Sequence, residues 1–275
     1  METMVALDSG EVWAEDAGEG IPVILLHPGW GDSAIWDEVA ARLRFAARVI
    51  RSDTRGYGRS PAPAAPFRAL DDLIGVLDHF GVERAIVVGH SSGGATAAGL
   101  ALARPERVRS LLLVAPGIAG YPWPQGDRFG AECSRLVEDG DDEGLLELGL
   151  RTFAPADPGP AAQAQIRSAI RGMHAQYPFL QPDPDTFSRL EDLRAPTRLV
   201  LGDREYLMVA DCGRAAAARI PGCELTIVPG ADHMLPLRAP GLLADLITAE
   251  LRRIRDADAS VDADADAERT VCRVC

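Results

Sequence analysis

Six short apolar runs recur along the chain, and they restrict its fold more than any other feature. They are "IPVILLH" (21–27), "ARVIRSD" (47–53), "RAIVVGH" (84–90), "VRSLLLVAP" (108–116), "PTRLVLGD" (196–203) and "CELTIVPG" (223–230). Each has the length of a strand and is apolar on both faces. That pattern suits a parallel sheet covered by helices on either side, since a half-exposed strand would alternate. The segments between them carry helical spacing. Phe67, Leu70, Leu73, Ile74, Leu77 and Phe80 fall on one face, and Gly81 follows as a stop. Strand, helix, strand, helix is the α/β pattern. A hairpin around Ser9-Gly10 precedes the first run, and no internal repeat is visible.

One interval breaks the alternation. About 75 residues separate "LLLVAP" from "PTRLVLGD", far more than one crossover helix needs. They hold helical stretches such as "RFGAECSRLVEDG", "DEGLLELGLRTF" and "AAQAQIRSAIRGMHAQY", with proline-rich joints. A helical insertion at the carboxyl edge of a parallel sheet lies where ligands bind, so it reads as a lid. The resulting division is 1–117 for the first part of the core, 118–194 for the insertion and 195–255 for the second part of the core. Residues 256–275, "DADASVDADADAERTVCRVC", are acidic and poor in apolar mass, and are expected to lack structure.

Composition narrows the partners. A formal net charge of −13 argues against nucleic acid and anionic membrane surfaces, which need basic patches. No apolar run is long enough to span a bilayer, and the first residues lack the basic-then-apolar layout of a secretion signal. The five cysteines, Cys133, Cys212, Cys223, Cys272 and Cys275, are scattered. Reduced thiols and a cytoplasmic location are therefore expected. Cys272-x-x-Cys275 has no second pair or nearby histidine to complete a zinc site. Neither a phosphate-binding glycine loop nor a cluster of metal ligands is present, so no metal or cofactor is expected.

The chemistry concentrates in "AIVVGHSSGGATAAGLALA" (85–103), where a β-branched run becomes an alanine-rich one within five residues. Gly89-His90-Ser91-Ser92-Gly93 fits G-x-S-x-G in the setting that motif requires, a strand before and a helix after. A turn this sharp strains the central residue and crowds its neighbours, and glycine at both flanks relieves the crowding. Ser91 takes the nucleophile's place. The Ser92 hydroxyl is incidental, but its amide stands at the positive end of the next helix.

A serine hydroxyl needs a base within hydrogen-bond reach. Among His27, His79, His90, His174 and His233, the last follows the final strand at the carboxyl edge, in "TIVPGADHMLP", and is the best placed. A carboxylate must orient it, and "LVLGDREYL" offers both Asp203 and Glu205. An oxyanion needs two N–H donors. One is expected from Ser92 and the other from Gly29 or Trp30, in "LLHPGWGDSAIW".

Four motifs in order, "HPGWGDSAIW", "SDTRGYGRS", "GHSSGG" and "PGADHMLP", resemble the α/β-hydrolase superfamily over roughly residues 20–253. The resemblance is to its lid-bearing branch of small esterases, lactonases, cofactor-free haloperoxidases and C–C hydrolases. It implies a mostly parallel sheet flanked by helices with a helical lid insertion, and an oxyanion N–H from Gly29. Pro28 stands where that family usually has glycine. Asp53-Thr-Arg-Gly-Tyr-Gly-Arg-Ser60 matches a loop that is mainly structural there. The family's acid position falls on Glu205, where aspartate is usual, with Asp203 as the alternative. Haloalkane dehalogenases and epoxide hydrolases share the loops but carry aspartate where Ser91 stands, so serine points to an acyl-enzyme.

The expectation is a serine hydrolase acting on an ester, lactone or similarly activated carbonyl of a small, largely apolar molecule, as a monomer or homodimer. Trp30, Trp123, Met173, His174, Tyr177 and Phe179 are the candidate substrate contacts. Alternatives are C–C bond hydrolysis or acyl transfer by the same residues, and, outside catalysis, a small-molecule receptor or pseudo-enzyme scaffold.

Overall fold

A computed structural model describes residues 1–124, 128–176 and 178–272, with residues 261–272 as backbone only. Tyr177, the Cys272 side chain and Cys275, all named above, lie outside that description. Eight strands form one sheet: β1 (Glu2–Leu7), β2 (Gly10–Ala17), β3 (Pro22–Leu26), β4 (Arg48–Ser52), β5 (Ala85–His90), β6 (Val108–Val114), β7 (Thr197–Gly202) and β8 (Glu224–Val228). Their spatial order is β1-β2-β4-β3-β5-β6-β7-β8. The hairpin at Ser9-Gly10 makes β1 and β2 antiparallel, and β2 joins β4 antiparallel. The six apolar runs supply the parallel remainder. β5 lies near the middle and is buried at every residue, as expected of a strand covered on both faces.

The helices are α1 (Asp37–Leu43), α2 (Ala69–His79), α3 (Ser92–Ala103), α4 (Arg128–Asp139), α5 (Asp142–Phe153), α6 (Pro160–Gln176), α7 (Leu207–Arg219), α8 (Leu235–Arg238) and α9 (Pro240–Cys272). α3 packs on β5 and β6 through Gly93, Gly94, Ala97, Ala98, Leu100 and Ala101, all buried. Small side chains let its backbone approach the sheet closely, and that brings its first turn to the carboxyl edge. α4, α5 and α6 lie between β6 and β7. Among the described residues no helix is long and apolar enough to cross a membrane.

α9 buries Leu243, Ala244, Ile247, Leu251 and Ile254, a stripe at three- and four-residue spacing that ends one residue before Arg255. The helix itself continues to Cys272, through the stretch that composition alone leaves without structure. Alanine is the strongest helix former, and extending an existing helix costs far less than nucleating one. The charge and low apolar content of residues 256–275 hide that continuity. Arg255 still reaches the core, its Nη2 donating to the Ala46 carbonyl at 2.6 Å; beyond it the described side chains give one link, the exposed Arg109–Asp258 ion pair at 3.1 Å. Truncation after Arg255 therefore removes no more than about 1 kcal/mol and should lower Tm by less than about 4 °C. A drop of ten degrees in a thermal melt would show that the tail docks.

Candidate active site

The turn after β5 is where the backbone is most constrained. Ser91 has φ 53° and ψ −116°, a left-handed conformation that a residue with a side chain adopts only when its surroundings enforce it. The enforcement comes from both sides. The Ser91 amide donates to the Val114 carbonyl at 3.0 Å, and the Ser91 carbonyl accepts from Gly94 (2.9 Å) and Gly117 (3.0 Å). A Cβ at Gly89 would lie 2.3 Å from the Gly93 carbonyl oxygen, and one at Gly93 would lie 2.7 Å from the carbonyl oxygens of Leu26 and His27. Glycine is thus required two residues before and two after Ser91. The Ser91 side chain is half-buried, and its hydroxyl has no hydrogen-bond partner among the described residues. At the first turn of α3 the amides of Ser92 and Gly93 have no partner within the helix.

The loop after β3 runs against that turn. A Cβ on Gly29 would sit 3.4 Å from Ser92 Oγ. His27 Nε2 accepts from the Thr54 amide at 2.9 Å, so its Nδ1–H donates to the Pro28 carbonyl at 2.8 Å. Asp53, fully buried, accepts from the amides of Ser33 (2.8 Å) and Arg59 (2.9 Å). Asp32 reaches the insertion: its Oδ1 accepts from Gln165 Nε2 at 3.1 Å, and its amide donates to Gln165 Oε1 at 3.0 Å. The "SDTRGYGRS" stretch therefore braces the Gly29 loop from below, while α6 holds it from above.

At the ends of β7 and β8 the two candidate acids separate. Asp203 Oδ1 accepts from the Gly230 amide at 2.7 Å. Glu205 Oε1 accepts from His233 Nδ1 at 2.9 Å and from the Tyr206 amide at 2.8 Å. Both side chains of the Glu205–His233 pair are buried, at 1% and 0% exposure. With Nδ1 donating, Nε2 of the neutral ring carries a lone pair, and it has no hydrogen-bond partner among the described residues. That is the tautomer a general base needs.

Behind this imidazole lies a second one. His90 is fully buried and donates from Nε2 to the His233 carbonyl at 2.8 Å, with ring centroids 4.8 Å apart. Burial, reinforced by the neighbouring His233, holds the His90 imidazole well below its ordinary value of 6.5. Its folded form thus stays neutral where the unfolded chain takes up a proton.

The insertion closes over His233. Phe153, at the end of α5, stacks 4.9 Å from the His233 ring and 5.3 Å from Trp30, and Phe129 lies 5.7 Å from Trp30. Asp232, buried and next to His233, ties core to insertion. Its carboxylate accepts from Arg238 Nε (3.0 Å), Met234 N (3.1 Å) and Ala156 N (2.9 Å). Arg238 Nη2 donates to the Asp157 carbonyl at 2.7 Å.

Of the candidate substrate contacts, Trp30 belongs to this aromatic group. Trp123 is 40% exposed and lies against Tyr121. Met173 is half-buried against the core. His174 is exposed, with Nε2 3.0 Å from Asp142 Oδ1. Phe179 is half-buried, its carbonyl accepting from the Phe67 amide at 3.1 Å. Phe129, Phe153, Tyr206 and Asp232 escaped sequence reasoning. For Asp232 a signal existed, a carboxylate adjoining the candidate base; for the aromatics there was none beyond ordinary helical spacing.

A strained serine and a buried acid–histidine pair thus stand at the carboxyl edge of a mostly parallel sheet. Residues 23–246 match the model of the alpha/beta hydrolase family, and the chain belongs to that family. It is 38% identical to a 2-hydroxymuconate semialdehyde hydrolase of Pseudomonas sp. (strain CF600), covering 84% of this chain and 77% of that one. It is 31% identical to a pimeloyl-[acyl-carrier protein] methyl ester esterase of Chromobacterium violaceum, covering 81% and 91%. Among solved structures, the N-acyl homoserine lactone degrading enzyme Est816 superposes with a TM-score of 0.75 at 26% identity, over 90% of this chain and 99% of that one.

The His90 environment yields a pH test. A histidine depressed in the folded state stabilises the fold above the unfolded value and loses that contribution as pH falls through it. Denaturation at pH 7.5, 6.0 and 5.0 should show stability dropping below about 6.5, by up to about 1.4 kcal/mol per pH unit from this group. His90→Gln should flatten that slope. Equal slopes in both proteins would contradict the assignment.

Proposed function

We propose that this chain is a serine hydrolase of the ester- and lactone-cleaving type, acting through an acyl-enzyme on a small, largely apolar molecule. The observation that carries the reading is the buried Glu205–His233 hydrogen bond of 2.9 Å, which turns Nε2 away from the carboxylate at the same sheet edge as the strained Ser91. In the first step Ser91 Oγ bonds to the carbonyl carbon while its proton passes to His233 Nε2. The Glu205 carboxylate stabilises the imidazolium, and the amides of Gly29 and Ser92 receive the oxyanion. As the carbonyl reforms, the bond to the alcohol oxygen breaks and His233 returns the proton to it. Water then repeats the sequence on the acyl-serine and frees the acid.

No step asks for a metal or cofactor. The net charge of −13 supports an enzyme of small molecules rather than a binder of nucleic acid or anionic membranes; its proposed location is the cytoplasm and its proposed state a monomer or homodimer. The 38% identity to the 2-hydroxymuconate semialdehyde hydrolase supports a second reading, in which the same residues hydrolyse that kind of semialdehyde. Assaying it beside aryl esters separates the two.

Ser91→Ala should lower kcat on a short-chain aryl ester by about a millionfold. Ser92→Ala, which keeps its amide, should cost no more than about tenfold, the scale of one hydrogen bond. Glu205→Gln should lose about 10³–10⁴-fold in kcat and move the acidic limb of the rate profile to lower pH, because the charge favouring the imidazolium is gone. Asp203→Asn should do neither. If Asp203→Asn is the crippled variant and carries the shift, Asp203 is the acid and the reading of Glu205 falls.

A further inference from the structure

Beside the oxyanion loop lies a cavity that the catalytic reading leaves unused. It measures about 220 Å³, and its lining includes Gly29, Ser92, Leu26, Leu73 and Val76. Leu180, 41% exposed, stands at its rim. None of Trp30, Trp123, Met173, His174 and Phe179 lines it. We propose that this cavity receives the acyl portion of the substrate, and that it selects a neutral, mainly apolar acyl group of medium length. The proposal rests on the reading of Ser91 as nucleophile with the Gly29 and Ser92 amides as oxyanion donors.

Position comes first. Both residues expected to hold the carbonyl oxygen line the cavity, so a carbonyl held by them has the cavity beside its acyl substituent. Size follows. An apolar cavity of about 150 Å³ admits benzene, so one of about 220 Å³ takes a single ring or a chain of roughly six to eight carbons.

Charge then decides the chemical class. The lining includes Asp53 and Asp72 and no lysine or arginine. Asp72 is paired with Arg55 through Nε at 2.7 Å and Nη2 at 2.6 Å, and Asp53 accepts the Ser33 and Arg59 amides. An acyl group ending in a carboxylate would therefore find no free cation among the lining residues to receive it, which is costly in a partly closed site. Polar capacity is small and neutral. Tyr57 OH is engaged with the Gly29 carbonyl at 3.2 Å, and Thr54 Oγ1 with His27 Nε2 at 3.0 Å. Thr96 Oγ1 donates to Asp183 at 3.3 Å and Gln176 Nε2 to the Arg55 carbonyl at 3.5 Å, and the hydroxyls of Ser52 and Ser92 can each meet one carbonyl or hydroxyl on the acyl group.

The test uses 4-nitrophenyl esters of acetate, hexanoate and the monoanion of adipate, with the whole chain. The wild-type protein should favour hexanoate over the adipate monoester by about a hundredfold or more in kcat/KM, since burying an unpaired charge is expensive. Leu180→Trp and Val76→Phe should each lower the hexanoate-to-acetate ratio of kcat/KM by about tenfold or more, the scale of lost methylene contacts. Because Leu180 is exposed, its variant keeps the test valid if Val76→Phe does not fold. A fluorophosphonate probe checks each protein for an activated serine. Labelled variants with an unchanged chain-length ratio, or a wild-type preference for the anionic ester, overturn the cavity assignment. A folded wild-type protein that does not label overturns the serine reading beneath it.

Discussion

The close approach of two strand ends decides whether this molecule has an active site at all. Beyond β7 and β8 the Asp203 amide donates to Val228 (3.1 Å) and the Arg204 amide to Ala231 (3.0 Å). A Cβ on Gly202 would lie only 2.0 Å from the Ala231 carbonyl oxygen, so the contact is open to glycine alone. Because the backbones touch there, Glu205 and His233 come together away from water. The Glu205 carboxylate also accepts the Tyr206 amide at 2.8 Å, which fixes this long side chain against His233.

The surroundings of His233 extend that constraint outward. His90 grips its carbonyl from beneath, Phe153 covers its ring, and Asp232 carries α5 and the segment after it on the same short loop. Burying Asp232 is tolerable because four hydrogen bonds satisfy its carboxylate. Placement of the His233 ring and docking of the insertion are therefore one structural event. A change at Arg238 or Asp232 would be felt at His233 without touching substrate.

Much of this was legible in the chain. The six apolar runs became the parallel strands, and for five of them burial leaves a local signature in composition; β8 is the exception, an edge strand whose Leu225 and Ile227 are 41% and 42% exposed. Gly89 and Gly93 marked the turn because a sharp strand-to-helix reversal excludes side chains there. His233 and its two candidate acids could be found because strand ends at one sheet edge converge. Which of Asp203 and Glu205 pairs with His233 was not local: it depends on the Gly230 amide reaching back to Asp203. Phe129 and Phe153 read as ordinary core residues of the insertion, since nothing in helical spacing tells which partner a ring will meet. The cavity beside Ser92 was equally hidden, for it is enclosed by residues from β3, α2, α3 and the segment after α6. The tail's helix was masked by its charge, although its alanines favoured continuation.

Peptide mapping after fluorophosphonate treatment tests the account most directly, because the probe reacts only with a serine that an adjacent base has activated. The account predicts a single phosphonyl adduct on Ser91, absent after His233→Ala. An adduct on Ser92, or labelling of Ser91 that persists without His233, would contradict it.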